Sequence, residues 1–224
     1  MKLIYLYHSG FALLGEGYTL IFDYFEDSVS ADKGIVHEQL LSREGQLYVF
    51  SSHAHADHFN RQILSWKALR PDIVYLLSTD IPLSDKDKEN GNLHTLAKGD
   101  TYRDEYLAVR AFGSTDIGIS FLVQTPEGAT VFHAGDLNNW HWSEESTPQE
   151  IRKAEGDYLA EIRDLQQESP AVDVALFPVD RRMGRDYMRG ALQFVERIKT
   201  RIFVPMHFGD DYEGGNAFRP QAEA

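Results

Sequence analysis

The sequence predicts an α/β fold, and three observations support this prediction. Short apolar runs typical of buried strands recur along the chain, and segments with apolar residues at helical spacing lie between the later runs. Several of the strand-like runs are followed at once by side chains of a type that binds metal ions. Because ligands of α/β sheets bind at the carboxyl ends of the strands, the same pattern also predicts where a functional site lies.

The first part of the chain is predicted to consist mostly of strands. A helix is predicted over 35–44 and another over 60–69, where Pro71 stops it because the residue before a proline avoids helical geometry. The polar stretch 84–92 indicates a loop or a short exposed helix. The predicted strands are apolar or aromatic runs, the first three separated by glycines: 3–7, 11–14, 18–22, 47–50 and 73–77.

The rest of the chain alternates predicted strands with two helices. The clearer helix begins at Thr147-Pro148-Gln149-Glu150, which offers a capping threonine, a proline at the first helical position and a glutamate three residues after the cap. A second helix is predicted over 186–198, and the polar tail 209–224 is expected to be loose unless it covers something. The predicted strands are 93–97, 106–112, 118–125, 130–132, 172–177 and 202–204.

Composition limits the class of protein. A chain of 224 residues predicts one domain, spanning 1–224. The formal net charge of −13 argues against nucleic-acid and anionic-lipid partners, because such a surface repels phosphates. The absence of cysteine excludes disulfides, thiolate metal sites and a thiol nucleophile. We therefore expect a cytoplasmic protein without a membrane helix that acts on a small molecule, and association into a homo-oligomer stays open.

The strongest functional signal is the segment His53-Ala54-His55-Ala56-Asp57-His58, which directly follows the strand predicted over 47–50. Neutral imidazole and carboxylate are the usual nitrogen and oxygen ligands of zinc and similar ions. In an extended chain His53 and His55 point the same way, because side chains alternate along a strand. A motif this dense arises by chance in roughly one such chain in a thousand. It therefore favours a metal site over a histidine-rich surface loop.

Three later strand-like runs also deliver metal-capable side chains at their carboxyl ends. Asp136 lies just beyond one run, Asp180 beyond the next and His207 beyond the last. Strand ends of an α/β sheet meet at one edge, so these residues are expected to converge. A cluster assembled from distant positions supports a site more strongly than any one of its members.

These pieces, in this order and spacing, resemble the metallo-β-lactamase superfamily of metal-dependent hydrolases along essentially the whole chain. The matching positions are the segment 53–58, the pair Gly135-Asp136 and His207. The opening residues 7–11, followed by 20–23, are similar to the branch that includes ascorbate-6-phosphate lactonase and related small hydrolases. The resemblance implies a four-layer αββα sandwich with the metals at one edge.

The resemblance also implies a ligand set. His53 and His55 would hold a first ion, and Asp136 would lie between two ions as a bridge. The ligands implied for the second ion are Asp57, His58 and His207. One or two divalent ions are expected, with zinc favoured and manganese or iron as alternatives.

One position departs from the resemblance. The family supplies a further histidine to the first metal, whereas the segment 111–120 of this chain contains none. Ser114 occupies the expected place, although a serine hydroxyl is a poor zinc ligand. Asp116 is an alternative substitute, and water is another. The first ion is then bound weakly, is a harder ion such as manganese, or is absent.

Three further histidines each have two interpretations. His8 either reaches the site from the first hairpin or caps a turn. His133, three residues before Asp136, either binds or supports the metals or belongs to the core. His141 lies in the aromatic segment 138–142, which either lines a pocket, with His141 assisting proton transfer, or anchors the next helix.

Asp180 is followed directly by Arg181 and Arg182. In an acidic protein, two arginines after a strand end form a candidate clamp for a phosphate or carboxylate group of the substrate. The alternative is a pair of surface salt bridges. We expect one of the two arginines to act as the clamp.

The predicted function is hydrolysis, in which a metal-bound hydroxide attacks a small anionic ester, lactone or phosphoester. Asp57 and Asp136 are the predicted catalytic carboxylates, which orient the water or accept its proton. Neither H-E-x-x-H nor G-x-S-x-G occurs in the chain, so zincin and serine-hydrolase chemistry have no support. The alternatives are a non-catalytic metal or metabolite-binding protein on the same fold and an iron-dependent oxygen enzyme.

Overall fold

Two six-stranded mixed sheets, one in each of two units, are found in the computed structural model, which describes residues 1–30 and 33–223. The units are Met1–Leu96 and Ala97–Ala224. The predicted α/β class is confirmed, since helices accompany both sheets. The prediction of one domain over 1–224 stays a prediction.

The sheet of the first unit has six strands in chain order: β1 (Lys2–Tyr7), β2 (Gly10–Leu14), β3 (Tyr18–Phe22), β4 (Gln46–Ser51), β5 (Val74–Ser78) and β6 (Leu93–Leu96). The first three strands form an antiparallel meander, and β3 to β6 run parallel. The strands predicted here are confirmed, with ends that differ by one residue. Alternate side chains of β3 and β4, such as Ile21 and Val49, share one buried cluster with Ile63.

Helical segments of the first unit are short. The helix predicted over 35–44 is a single π-helical turn, Val36–Leu40, whose first N–H group donates to the Asp27 carboxylate at 3.0 Å. The helix predicted over 60–69 is a 3-10 helix, Arg61–Ala68, capped by the Asn60 side chain. The polar stretch contains the four-residue helix α1 (Asp85–Lys88).

The sheet of the second unit also joins an antiparallel half to a parallel half. Its strands are β7 (Thr101–Arg103), β8 (Ala108–Phe112), β9 (Ser120–Gln124), β10 (Thr130–His133), β11 (Ala171–Pro178) and β12 (Lys199–Met206). Strands β7 to β10 pair antiparallel, and β10, β11 and β12 pair parallel in that order. The sequence did not predict β7, because this three-residue edge strand is polar and lacks an apolar alternation.

The helices of the second unit include the best-marked prediction. Helix α2 (Pro148–Glu168) begins at Thr147, whose hydroxyl accepts the N–H of Glu150 while the Glu150 carboxylate accepts the N–H of Thr147. Helix α3 (Arg189–Val195) is shorter than the predicted 186–198, since turns precede it.

The described part of the polar tail is ordered, which is the case the prediction allows for a tail that covers something. This segment forms helices α4 (Tyr212–Asn216) and α5 (Arg219–Ala222). Phe218 between them is 1% exposed, and its ring centroid lies 4.7 Å from that of Phe203 on β12. A single aromatic anchor fixes a segment whose average composition is polar.

In the described ranges no helix has the length and apolar character needed to cross a membrane.

In both sheets, candidate site residues follow the ends of three adjacent parallel strands. These residues are Asp23, loop 53–58 and Asp80 after β3, β4 and β5, and Asp136, Asp180 and His207 after β10, β11 and β12.

Candidate metal centre

The histidine-rich loop 53–58 turns back on itself directly after β4. The backbone carbonyl of His55 accepts hydrogen bonds from the N–H groups of His58 (3.0 Å) and Phe59 (2.8 Å). The ring centroid of His53 therefore lies 4.6 Å from that of His55 and 4.1 Å from that of His58. His53 and His58 are fully buried, whereas His55 is exposed. The loop thus groups three imidazoles at the end of the strand.

Asp23, which directly follows β3, holds these imidazoles in place through hydrogen bonds. Its Oδ2 accepts hydrogen bonds from His58 Nδ1 (2.7 Å) and from the Ser52 hydroxyl (2.7 Å). The Ser52 oxygen in turn lies 3.0 Å from His53 Nδ1. A carboxylate only accepts hydrogen bonds, so the proton of neutral His58 is on Nδ1 and its lone pair is on Nε2. Proteins commonly orient metal-binding histidines in this way.

Asp57 and His8 form a second group in the same unit. His8 Nε2 lies 3.4 Å from Asp57 Oδ2, and one ligand atom from each of His8, Asp57 and His58 falls within 4.8 Å of the others. The Asp57 side chain is 39% exposed, so a substrate can approach it. Hydrogen bonding with His8 holds the pKa of Asp57 well below its usual range, which keeps this carboxylate ionised at neutral pH.

Asp136, Asp180 and His207 converge in the second unit. His207 Nδ1 lies 2.9 Å from Asp180 Oδ2, and His207 Nε2 lies 3.3 Å from Asp136 Oδ1. As with His58, the carboxylate at Nδ1 leaves the lone pair on Nε2. Burial opposes the ionisation of Asp180, but hydrogen bonds from His207 and Arg182 outweigh it and hold the pKa of Asp180 well below its usual range.

The separations between these atoms suit ligands of a common ion. Two ligand atoms bound to a tetrahedral zinc ion at about 2.0–2.1 Å lie about 3.3–3.4 Å apart. The His8–Asp57 separation of 3.4 Å and the Asp136–His207 separation of 3.3 Å match that edge length. A donor set of imidazole nitrogen and carboxylate oxygen suits zinc, manganese or iron. Each unit therefore contains side chains whose chemistry and spacing fit a divalent metal ion.

Backbone strain is concentrated at the same residues. In residues 1–30 and 33–223, the non-glycine residues with positive φ are His8 (56°), Asp23 (42°), Trp142 (39°) and His207 (64°). Each such conformation costs about 1–3 kcal/mol, and strain of this kind clusters at active sites and ligand clamps. Three of these four residues belong to the groups just described, which supports a functional role for those groups.

A cavity of about 300 Å³ in the second unit opens beside Asp136 and His207. Two indoles line it, those of Trp140 and Trp142. The Trp140 Nε1–H donates to the backbone carbonyl of Asp136 at 2.8 Å, and the Trp140 ring centroid lies 5.4 Å from that of His207. The cavity is therefore lined both by side chains that can bind a metal ion and by aromatic rings.

Asp116 lines this cavity together with Thr115. The Ser114 hydroxyl oxygen instead accepts the backbone N–H of Asp116 at 3.3 Å. The Thr115 hydroxyl is tied to the loop after Asp136, since it accepts the Asn138 N–H at 3.0 Å. Of the two predicted substitutes for the missing histidine, Asp116 thus lies at the cavity.

The remaining histidines of the second unit are both buried. His133 Nδ1 accepts the Gly135 N–H at 3.2 Å, which shapes the turn that leads to Asp136. His141 Nδ1 accepts the Ser143 N–H at 3.1 Å, and its Nε2 lies 3.1 Å from the Asp186 carbonyl. Burial lowers the pKa of His141, so its ring is neutral at pH 7. Backbone groups therefore engage both ring nitrogens of His141.

The two arginines after Asp180 differ in their contacts. Arg182 donates from Nε and Nη2 to the Asp180 carboxylate, at 2.9 Å and 2.5 Å for the closest contacts, and its side chain is 64% exposed. Arg181 Nε lies 3.4 Å from Asp211 Oδ2 instead. Arg182 lines the cavity and Arg181 does not. The anion clamp stays a prediction; Arg182 lines this cavity, and both arginines line another cavity beside Asp180.

Asp23 and Asp80 are the site residues that sequence reasoning missed. Asp80 Oδ2 accepts the N–H of Ala54 at 2.8 Å and so fixes the start of the histidine loop. Each carboxylate follows the apolar run of a parallel strand, as Asp136 and Asp180 do. Applying the strand-end rule to β3 and β5 would have found both.

The chain matches the family model described as a beta-lactamase superfamily domain over residues 2–207, and it therefore belongs to this superfamily. No curated protein matches the chain in sequence. The predicted superfamily is thus confirmed, while the resemblance to the ascorbate-6-phosphate lactonase branch stays a prediction.

Solved structures show the same fold. Igni18, a metallo hydrolase from the archaeon Ignicoccus hospitalis, has a TM-score of 0.67 at 18% identity, covering 99% of this chain and 89% of that one. CmlA, a diiron beta-hydroxylase from Streptomyces venezuelae, has a TM-score of 0.61 at 15% identity, covering 92% and 44%. YhfI, a metallo-beta-lactamase fold protein from Bacillus subtilis, has a TM-score of 0.58 at 10% identity, covering 97% and 84%. The metallo-β-lactamase fold is thereby confirmed.

Proposed function

We propose that the protein is a metal-dependent hydrolase whose metal ligands are imidazole and carboxylate side chains. The observation that carries the proposal is the pairing of His58 with Asp23 and of His207 with Asp180, at 2.7 Å and 2.9 Å. Each carboxylate fixes the proton of its histidine on Nδ1 and directs Nε2 to act as a ligand. The proposed ligands are His53, His55, Asp57, His58, Asp136 and His207, with Asp116 as the substitute for the missing histidine.

A divalent ion held by these residues would supply Lewis acidity and lower the pKa of a water molecule. Zinc is the proposed ion, because the donor set is imidazole and carboxylate and the separation of 3.3 Å between Asp136 Oδ1 and His207 Nε2 fits a tetrahedral site. Membership of the superfamily supports the same proposal.

The chain's own carboxylates hold and orient the reacting groups. Asp57 is ionised and partly exposed, so its Oδ2 can accept a hydrogen bond from an attacking water. Asp136 is held in place from its backbone, where its carbonyl accepts the Trp140 indole N–H. These contacts support the proposed catalytic roles of Asp57 and Asp136.

The proposed substrate is a small molecule with an ester, lactone or phosphoester bond. The cavity of about 300 Å³ suits a ligand of that size. Arg182 at its wall is the proposed partner of an anionic group of the substrate. The cytoplasm is the proposed location, since the chain contains no cysteine to form a disulfide.

The test combines metal content with turnover. Untagged protein would be assayed by elemental mass spectrometry and against a panel of lactones, thioesters, phosphomonoesters and phosphodiesters. We expect bound zinc or manganese and turnover of one of these classes, both of which chelation removes. Asp57→Ala should abolish turnover, whereas Asp164→Ala, at an exposed carboxylate of α2, should not.

Three results would contradict the proposal. Full activity of chelated protein or of Asp57→Ala would exclude metal-dependent hydrolysis at this site. Metal binding without turnover across the panel would favour a non-catalytic binding protein. A coloured, iron-loaded preparation that consumes oxygen would favour an iron-dependent oxygen enzyme.

A further inference from the structure

The indoles of Trp140 and Trp142 form a paired aromatic surface. Their planes are 15° apart and their ring centroids are 6.2 Å apart. Both side chains are half-buried, and both line the cavity that contains Asp136 and His207. Aromatic rings prefer such offset, near-parallel arrangements with one another and with a further ring.

The backbone holds both indoles in place. Trp140 is fixed by its hydrogen bond to the Asp136 carbonyl at 2.8 Å. Trp142 has a φ of 39°, and its carbonyl accepts the N–H groups of Glu145 and Ser146, each at 2.9 Å. L residues rarely adopt this backbone conformation, and Trp142 shares it only with His8, Asp23 and His207 among the described non-glycine residues.

A structural role in the core does not account for Trp142. The chain's remaining tryptophan, Trp66, shows what a core indole looks like: it is 2% exposed and packs edge-on against Tyr24 at 4.8 Å. Trp142 instead is half-buried and lines a cavity. Its strained backbone therefore positions a ring at a ligand-accessible wall.

We propose that Trp140 and Trp142 are a stacking subsite that selects substrates carrying an aromatic ring. This inference rests on the proposed hydrolase function, and it names the substrate class of that site. A ring stacked on these indoles would place the attached ester or phosphoester beside Asp136 and His207. The planar faces of two fixed indoles favour a flat ring over a puckered ring of equal size.

Selectivity between matched substrates tests the subsite. The ratio of kcat/KM for methyl benzoate to that for methyl cyclohexanecarboxylate would be measured in the metal-loaded protein and in its variants. Trp142→Leu should lower this ratio about three- to tenfold, while Trp142→Phe should largely keep it. Tyr106→Leu makes the same kind of change at an exposed aromatic residue outside the cavity and should leave the ratio unchanged.

Equilibrium binding gives a readout that does not depend on turnover. Tryptophan fluorescence would be titrated with benzamide, cyclohexanecarboxamide and tetramethylammonium. We expect benzamide to quench at the lowest concentration, and Trp142→Leu to remove its advantage over the cyclohexyl compound.

The outcomes separate the subsite from the hydrolase function. Selective benzamide binding without hydrolysis of any ester supports the subsite and contradicts the proposed reaction. Equal binding of benzamide and cyclohexanecarboxamide, with metal-dependent hydrolysis intact, overturns the subsite alone. Tighter binding of tetramethylammonium also overturns it, since the indoles would then recognise cations rather than rings.

Discussion

The two units contribute site residues in different ways. In the first unit, most of them lie in one short loop, 53–58, after β4. In the second unit, Asp136, Asp180 and His207 come from the ends of three separate strands. A local cluster can be found from sequence spacing alone, whereas a dispersed one is found only with the added rule that the strand ends of an α/β sheet meet at one edge.

The supporting interactions are nevertheless alike. Asp23 accepts from His58 Nδ1 at 2.7 Å, and Asp180 accepts from His207 Nδ1 at 2.9 Å. The difference lies in their surroundings. Asp23 is fully buried behind Ser52, whereas Asp180 also pairs with the exposed Arg182. The first unit therefore holds its imidazoles with a buried carboxylate and a hydroxyl group, and the second adds a cation at the cavity wall.

Removing a proposed ligand from the local cluster should have the largest effect. We expect His58→Ala to lose at least one equivalent of bound metal and to reduce hydrolysis to background, because the proposed second ion loses its buried imidazole. Elemental mass spectrometry and the hydrolase assay check both. His94→Ala, at a histidine on β6, should retain metal and activity. Equal metal content in the two variants would contradict the ligand assignment.

Truncating the C-terminal anchor should strongly destabilise the second unit. Phe218→Ala is expected to lower the free energy of unfolding by about 3–5 kcal/mol, because a fully buried ring that packs on Phe203 is lost. Urea or thermal unfolding measures this. Tyr212 is 52% exposed, so Tyr212→Ala should lower the free energy of unfolding much less. Equal stabilities would mean that the tail is loose, as its composition suggests.

The same contrast explains how much the sequence could predict. The fold class and nearly all strands follow from apolar runs, whereas the superfamily follows from the histidine loop, the pair Gly135-Asp136 and His207. Strand β7 was missed because Thr101–Arg103 is a short polar edge strand without periodicity. Asp23 was missed as a support for His58 because the two are brought together only when β3 pairs with β4. The strand-end rule marks Asp23 as a candidate, but strand pairing decides which histidine it contacts.

A titratable group away from the metal ligands offers a smaller, pH-dependent effect. Burial opposes the ionisation of Asp27, but N–H groups of Val36 and His37 outweigh it and lower its pKa below the ordinary value of 3.8. A carboxylate whose pKa is lower in the folded state stabilises the fold fully above its unfolded pKa. This stabilisation is lost as the pH falls through the lowered native pKa.

Asp27→Asn should therefore reduce the free energy of unfolding by about 1–3 kcal/mol at neutral pH. Below about pH 4, the stability of the variant should also fall less steeply than that of the wild type, because the variant lacks this titrating carboxylate. Denaturant unfolding at several pH values measures both effects. Asp85→Asn, at an exposed residue of α1, is the matched control. An acid-induced loss of the same size in Asp27→Asn as in the wild type would contradict the assigned role.

The most direct test of the carboxylate–imidazole pair in each unit is the zinc affinity of Asp23→Asn and Asp180→Asn, measured by competition with a chromophoric chelator. Each variant keeps a hydrogen-bond acceptor near Nδ1 but removes the charge that strengthens the histidine as a ligand. We predict that both variants bind zinc about 10–100-fold more weakly than the wild type and than Asp164→Asn, at an exposed carboxylate of α2. Wild-type affinity in both variants would contradict the claim that each unit uses a carboxylate–imidazole pair to bind metal.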